Sequence, residues 1–249
     1  MPLNHPLVTV IIPAYHAEFL IARALLSIEA QTFPQDKIRV VCVVDDADYD
    51  ETPRIVREMF PAAFVIQSSE KTTPASARNF ALSFVKSKYV AFLDADDEWR
   101  PHHLENAVKT LERDPDIRIY YAKCMNHSND TATDAYGFPV EVINDCCPAP
   151  HSTVVIRNPP LFRFDERLRG ADDWGFLIDH YRAGERFYFN PEIESYYYVH
   201  GGNLTAYSGR WYRQELMVFW YRGPYRKIMS LIPNAVKEWF REKVRGIIG

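Results

Sequence analysis

The sequence predicts an α/β fold: a single domain with a mostly parallel central sheet flanked by helices, and a helical segment appended at its C-terminal side. Three observations predict it. Apolar runs and segments of helical period alternate from Val8 to about Asp114, which calls for a parallel sheet with helices on its faces. The apolar runs are nearly continuous, as strands buried on both faces are. Two of them end in acids, Asp45-Asp46 and Asp94-Ala95-Asp96-Asp97, and ligands of such sheets bind beyond the carboxyl ends of the strands.

The elements follow in order. "VTVIIPAY" (Val8 to Tyr15) is a short β-branched run and reads as a buried strand. Ala17 to Gln31 places Leu20, Ala24, Leu25 and Ile28 on one face, the spacing of a helix. Ile38 to Asp48 is a second strand. Asp50 to Phe60 is a helix with Asp50 or Thr52 as cap and Pro53 in its first turn. "AAFVIQSS" is a third strand, and Thr73 to Ser87 a third helix with Ser76, Ala77, Phe80, Ala81 and Phe84 as its apolar period. "KYVAFLDADD" is the fourth strand. Arg100 to Asp114 is the fourth helix, with His102 and His103 read as solvated at its start. Further on, "IRIYYAKCMNH" and "HSTVVIRN" read as strands and Asn126 to Asp145 as a loop region. "GADDWGFLIDHYRAG" is a helix from Asp172 or Asp173 to Gly184, and "ERFYFNPEIESYYYVHGG" gives one or two strands. The expected division is a nucleotide-binding half (1–114), an acceptor half (115–208) and a tail (209–249).

Composition excludes several classes. The 249 residues are 47% hydrophobic and 25% charged, with a formal net charge of -4, no profile for a nucleic-acid binder. No apolar run reaches the roughly 18 residues of a membrane span, and the N-terminus has no signal-peptide pattern. Cys42, Cys124, Cys146 and Cys147 form no C-x-x-C pair, so reduced thiols in a cytoplasmic protein are expected. From Gly209 to Gly249 nine Lys/Arg stand against three Glu, a local +6, interleaved with aromatics. Such a tail can lie at the inner, anionic face of a membrane, pack on the domain, or dimerise.

Carboxylates gathered at a rim hold a cation well, and Mg²⁺ or Mn²⁺ takes oxygen ligands. Such an ion bridges protein acids and a diphosphate. A solvated turn capping the next helix accounts for the same residues. No G-x-x-x-x-G-K-S/T loop or G-x-G-x-x-G turn is present, and the first βα turn, "PAYHAE", has no glycine.

"VTVIIPAYHAEFLIARALLSIEAQTFP", "VVDDADYDET", "ARNFAL", "YVAFLDADDEWRPHHL", "STVVIR", "GADDW" and "YYYVHGGNLT", in this order and spacing, resemble the family 2 glycosyltransferases, inverting enzymes of the GT-A fold. The resemblance covers roughly Val8 to Thr205. It implies an inverting, metal-dependent glycosyltransferase taking a nucleotide-diphosphate sugar, with UDP the usual nucleotide and a glycan or lipid-linked saccharide as acceptor. It implies that Pro13, Ala14 and Tyr15 flank the base, that Asp46 binds it with Asp45 alongside, and that Arg78 and Asn79 line the nucleotide side. Asp94-Ala95-Asp96 matches the D-x-D motif, with Asp96 on the metal, Asp94 on ribose or metal, and Asp97 approaching the donor sugar. His200 matches a position near the diphosphate that can also ligate the metal. "GADDW" matches the segment of the catalytic base, aligning Asp173 with the base and Asp172 with the preceding glutamate; both can instead cap a helix. Trp174 and Trp99 either pack in the core or stack on a sugar, Trp174 on the acceptor side. Ala47-Asp48 replaces the usual Gly-Ser, Ala81 stands near the glycine that usually follows "ARN", and Asp172 shortens a glutamate. A catalytically silent sugar-nucleotide binder and a nucleotidyltransferase are the alternatives, the latter lacking its glycine-rich loop here.

Overall fold

The computed structural model describes residues 6–45, 50–68, 73–128, 131–144, 146–168 and 170–200. The basic tail and Asp46 lie outside these residues.

Strands β1 (Val8–Tyr15), β2 (Ile38–Asp45), β3 (Phe64–Ser68) and β4 (Tyr89–Phe92) pair in parallel in the order β3-β2-β1-β4. The sheet continues through β8 (Val155–Arg157), β6 (Ile117–Ser128), β9 (Arg186–Val199) and the short β5 (Glu98–Trp99). β8 and β5 run antiparallel to their neighbours, while β9 is parallel to β6. The helices are α1 (Ile21–Glu29), α2 (Thr52–Met59), α3 (Pro74–Leu82), α4 (His103–Arg113) and α5 (Asp172–Arg182).

Strand alternation explains the two cores. Val8, Val10 and Ile12 of β1, with Val40, Cys42 and Val44 of β2, face one side and meet Ile21, Leu25 and Ile28 of α1 and Leu104, Val108 and Leu111 of α4. Ile11, Val41, Val43, Val90 and Phe92 point the other way onto Ala77 and Ala81 of α3 and Phe176 and Leu177 of α5. Each strand is apolar on both faces because each face carries helices.

Several expectations need correction. Phe80 and Phe84 do not form the buried face of α3: they are 50% and 46% exposed, with ring centroids 5.2 Å apart. The buried residues are Ala75, Ala77, Arg78, Ala81 and Leu82. Small alanines bring the helix close to the sheet, and that rotation turns Arg78 inward. Thr73 and Ser76 form a reciprocal capping box at its start. His103 is fully buried, not solvated. Its Nδ1 lies 2.9 Å from Glu194, which also accepts from Asn106, Tyr120 and Asn190. Burial works against the Glu194 charge, yet the bonds from His103, Asn106 and Tyr120 hold its carboxyl below the usual range. The expected loop after Asn126 contains a strand, β7 (Thr131–Tyr136), paired with β6. α5 ends as expected before Gly184, whose φ of 83° is the left-handed stop that glycine accepts without strain.

Candidate active site

The chain lays β1, β2 and β3 outward, then returns to put β4 on the other side of β1. That reversal opens a crevice at the carboxyl ends of β1 and β4. β4 ends at Phe92, paired with Ile11, so β1 projects past it. Pro13 is half-buried, Ala14 buried and Tyr15 48% exposed at the rim. His16 makes the glycine-free turn with a φ of 46°. Asp45 ends β2 opposite Tyr15.

Directly beyond β4 comes the acidic turn, closed by the Asp97 N–H donating to the Asp94 carbonyl at 3.1 Å. Its three carboxylates go to three different partners. Asp94 accepts from Arg78 Nη2. Asp96 Oδ2 lies 2.9 Å from His200 Nε2. Asp97 is fully buried, bonded to Ser152 Oγ and to the Tyr198 N–H at 3.3 Å. The crowding still registers. Burial first, and Asp94 second, raises Asp96 above the carboxylate range despite His200. Asp97 is pushed well above it by burial, then by Asp96 and Asp94. Asp97 is therefore a strut beneath the turn with no face toward a donor sugar, contrary to the expectation for it. Ala95 is buried at the turn's apex.

Arg78 is 4% exposed and joins two halves of the site. Its Nη2 holds Asp94, and its Nη1 holds Asp172 at 2.6 Å. It faces the acids and not open nucleotide space. Asn79 is likewise committed: its Nδ2 donates to Phe164 O and Glu166, and its Oδ1 accepts the Phe164 N–H, pinning the loop before α5. Neither Asp172 nor Asp173 is the cap of α5; the capping position is Ala171, without a side-chain bond. Both acids sit in the first turn, where the helix dipole favours negative charge. Asp172 is spent on Arg78. Asp173 stays partly exposed, with its Oδ1 accepting the Trp174 N–H at 2.7 Å. Burial first, then the Asp172 charge, lifts Asp173 to about 7, against the pull of that N–H and of Arg78. A carboxylate with a pKa near neutrality has the chemistry a general base needs at neutral pH. Trp174 itself is 3% exposed, its indole N–H on Ile143 O. Trp99 is 2% exposed and donates to Ser152 O. Both tryptophans are core residues here, and burial leaves no ring face for a sugar.

Among the described residues no three His, Cys, Asp or Glu side chains converge as a metal cage. The chemistry of Asp96 and His200 nevertheless fits a divalent ion: a carboxylate and an imidazole together, beside excess negative charge from Asp94. Mg²⁺ and Mn²⁺ sites commonly take one or two protein ligands and fill the rest from substrate phosphate and water. Ser152 and Arg23, which with Tyr198 hold the acidic turn in place, received no role from sequence. Ser152 lies in the quoted "STVVIR", but a hydroxyl in a strand-like run gives no signal of its partner Asp97, 55 residues away.

The family model for glycosyl transferase family 2 matches residues 9–191. The UDP-Glc:alpha-D-GlcNAc-diphosphoundecaprenol beta-1,3-glucosyltransferase WfaP of Escherichia coli is 25% identical over 205 residues, 80% of each chain. Several longer curated relatives are matched over less than half of their length. Among solved structures, S. aureus TarS in complex with UDP-GlcNAc superposes with a TM-score of 0.71 at 22% identity, over 87% of this chain and 67% of that one. The mannosyltransferase PcManGT from Pyrobaculum calidifontis, in complex with GDP-Man and Mn²⁺, gives 0.66 at 27% identity, over 83% and 61%. The sheet order, the acidic turn at the switch point and the family match across most of the chain agree: the protein belongs to glycosyl transferase family 2 and is a glycosyltransferase with the GT-A fold.

Proposed function

We propose that this enzyme is inverting and metal-dependent, and that it moves a sugar from a nucleotide-diphosphate donor, UDP-linked, to a hydroxyl of a glycan or lipid-linked saccharide. The observation that carries this is the site's polarity. The Asp94–Asp96 turn lies at the strand ends, Arg78 bridges it to Asp172, and the next residue, Asp173, is the carboxylate poised near neutrality. The names of WfaP and of the TarS complex support a UDP-sugar donor and a lipid-linked acceptor, and the Mn²⁺ of the PcManGT complex supports a metal.

Asp96 and His200 would hold the ion, with Asp94 beside them. When bound, the ion supplies Lewis-acid stabilisation of the diphosphate leaving group. Tyr15, at the open rim, would flank the base with Pro13 and Ala14. Asp173 accepts the proton of the acceptor hydroxyl as it attacks. The carboxylates support inversion: Asp172 is bound to Arg78, which leaves Asp173 among the described residues at the start of α5, and a retaining path would need a separate nucleophile near the anomeric carbon. A silent binder is less well supported, because nothing in simple binding calls for a carboxylate held at about 7.

Asp96→Ala should abolish Mn²⁺-dependent UDP binding in calorimetry; affinity unchanged from the wild type would remove Asp96 from the metal. No helix among the described residues is long and apolar enough to cross a membrane. A lipid-linked acceptor is then best reached through the tail, whose charge of +6 (nine Lys/Arg less three Glu) suits anionic lipid. The full chain should co-sediment with anionic vesicles at low salt, and a chain truncated at Gly209 should not; equal sedimentation would make the tail a packing or dimerising segment.

A further inference from the structure

Two side chains, Arg23 and Tyr198, converge beside the Asp96–His200 pair. Arg23, on α1, donates from Nη2 to the Asp96 carbonyl at 2.8 Å. Its guanidinium carbon lies 3.4 Å from the centre of the Tyr198 ring, a stacked cation–π contact. Tyr198, near the end of β9, donates its N–H to Asp97 and its hydroxyl to Glu98 at 2.9 Å. His200 is the first residue past the end of β9, so the anchored Tyr198 stands two residues before it. β5 pairs with β9 through Glu98–Tyr196 and Trp99–Ser195, which brings the acidic turn and the strand end together. Arg23 ties the Asp96 backbone to the Tyr198 ring across that joint.

We propose that Arg23 and Tyr198 are positioning residues for the Asp96–His200 pair: the guanidinium, stacked on the ring and bonded to the Asp96 carbonyl, sets the spacing at which the carboxylate and the imidazole face a common point. The proposal rests on the reading that this pair holds the metal. Arg23 is suited to the task. Its planar fork can stack and donate at once, which a lysine ammonium cannot do. One of its donors, Nε, is buried without a partner, so the side chain is held by its stack and its single carbonyl bond and not by a general ion-pair network.

Mn²⁺ with UDP, titrated calorimetrically into the full chain, tests this, with thermal unfolding measured alongside. Arg23→Ala should weaken Mn²⁺-UDP binding by about tenfold, the scale of one lost cation–π contact and bond. Arg23→Lys should recover only part of that, and Tyr198→Phe, which keeps the ring, should bind within about twofold of wild type. Because Arg23 acts through His200, Arg23→Ala added to His200→Ala should cost little beyond His200→Ala alone. Additive losses in the double variant would overturn the proposal, as would wild-type binding by Arg23→Ala while His200→Ala is impaired; the metal reading would survive both. Undiminished binding by both Asp96→Ala and His200→Ala would overturn the metal reading and this proposal with it. Should Arg23→Ala fail to fold, Arg23→Gln, which keeps the length and loses the charge, carries the same comparison.

Discussion

Asp173→Asn should lower kcat by about 10²- to 10⁴-fold, the usual worth of general-base help, while donor affinity stays near that of the wild type. Asparagine keeps the shape and can still accept the Trp174 N–H, but it cannot take the proton of the acceptor hydroxyl. The loss therefore belongs to the transition state. The pH profile gives an independent check. Only the ionised carboxylate is a base, so kcat/KM should fall on the acid side with an apparent pKa of about 7. Stability carries the opposite sign. The folded value of about 7 lies above the ordinary 3.8, so the native state holds a proton that the unfolded chain releases. The stabilising contribution is full below 3.8 and is lost as the pH rises through about 7. Asp173→Asn should thus melt higher than the wild type at pH 8, with the difference gone near pH 4. An inactive and more stable variant is the pattern of a residue held in an unfavourable charge state for function. Asp172→Asn should show the smaller loss of kcat, because Asp172 is bonded to Arg78 and is not placed to take the proton. If Asp172→Asn is the dead variant and Asp173→Asn turns over normally, the base has been misassigned.

Most of the fold was legible because the sheet is buried on both faces. Apolar runs such as "VTVII" need no partner to be recognised, and the switch point follows from strand order once acids are seen to end β2 and β4. The errors share a cause. Phe80 looked like core because it is large and apolar at helical spacing, yet three alanines set the close packing of α3 and rotate it away. His103 looked solvated because histidine beside a proline at a helix start usually is; the partner that buries it, Glu194, is 91 positions further on. Asp94, Asp96 and Asp97 were recognisable as a group, but their division among Arg78, His200 and Ser152 was not, since each partner comes from a different element. The resemblance aligned Asp173 with the base, but an adjacent pair of identical residues carries no physical signal of its own to order them. Arg78 distinguishes them, and only the tertiary structure shows which carboxylate it takes.

Arg78 should be the most costly residue of the site to remove. Its guanidinium is buried between Asp94 and Asp172, with side-chain exposures of 5%, 30% and 9% respectively. Breaking a buried pair by deleting one partner commonly costs about 3–5 kcal/mol, because the remaining charge is left uncompensated, and here two carboxylates would be stranded with Asp173 beside them. Arg78→Gln should therefore lower the melting temperature sharply. It should also move the chemistry. Arg78 is one of the groups holding Asp173 down, so its loss should shift the acid limb of kcat/KM above the wild-type value of about 7, leaving less ionised base at neutral pH. Arg78→Lys separates the two effects. It keeps the positive charge, and with it the position of the limb, but a single ammonium cannot reproduce the two-armed bridge of the guanidinium, so stability and kcat should fall while the limb stays put. The comparison needs purified variants with a folded circular-dichroism spectrum and a pH series for each. If the limb of Arg78→Gln coincides with that of the wild type, Arg78 does not tune the base, and its place between the acids is structural alone.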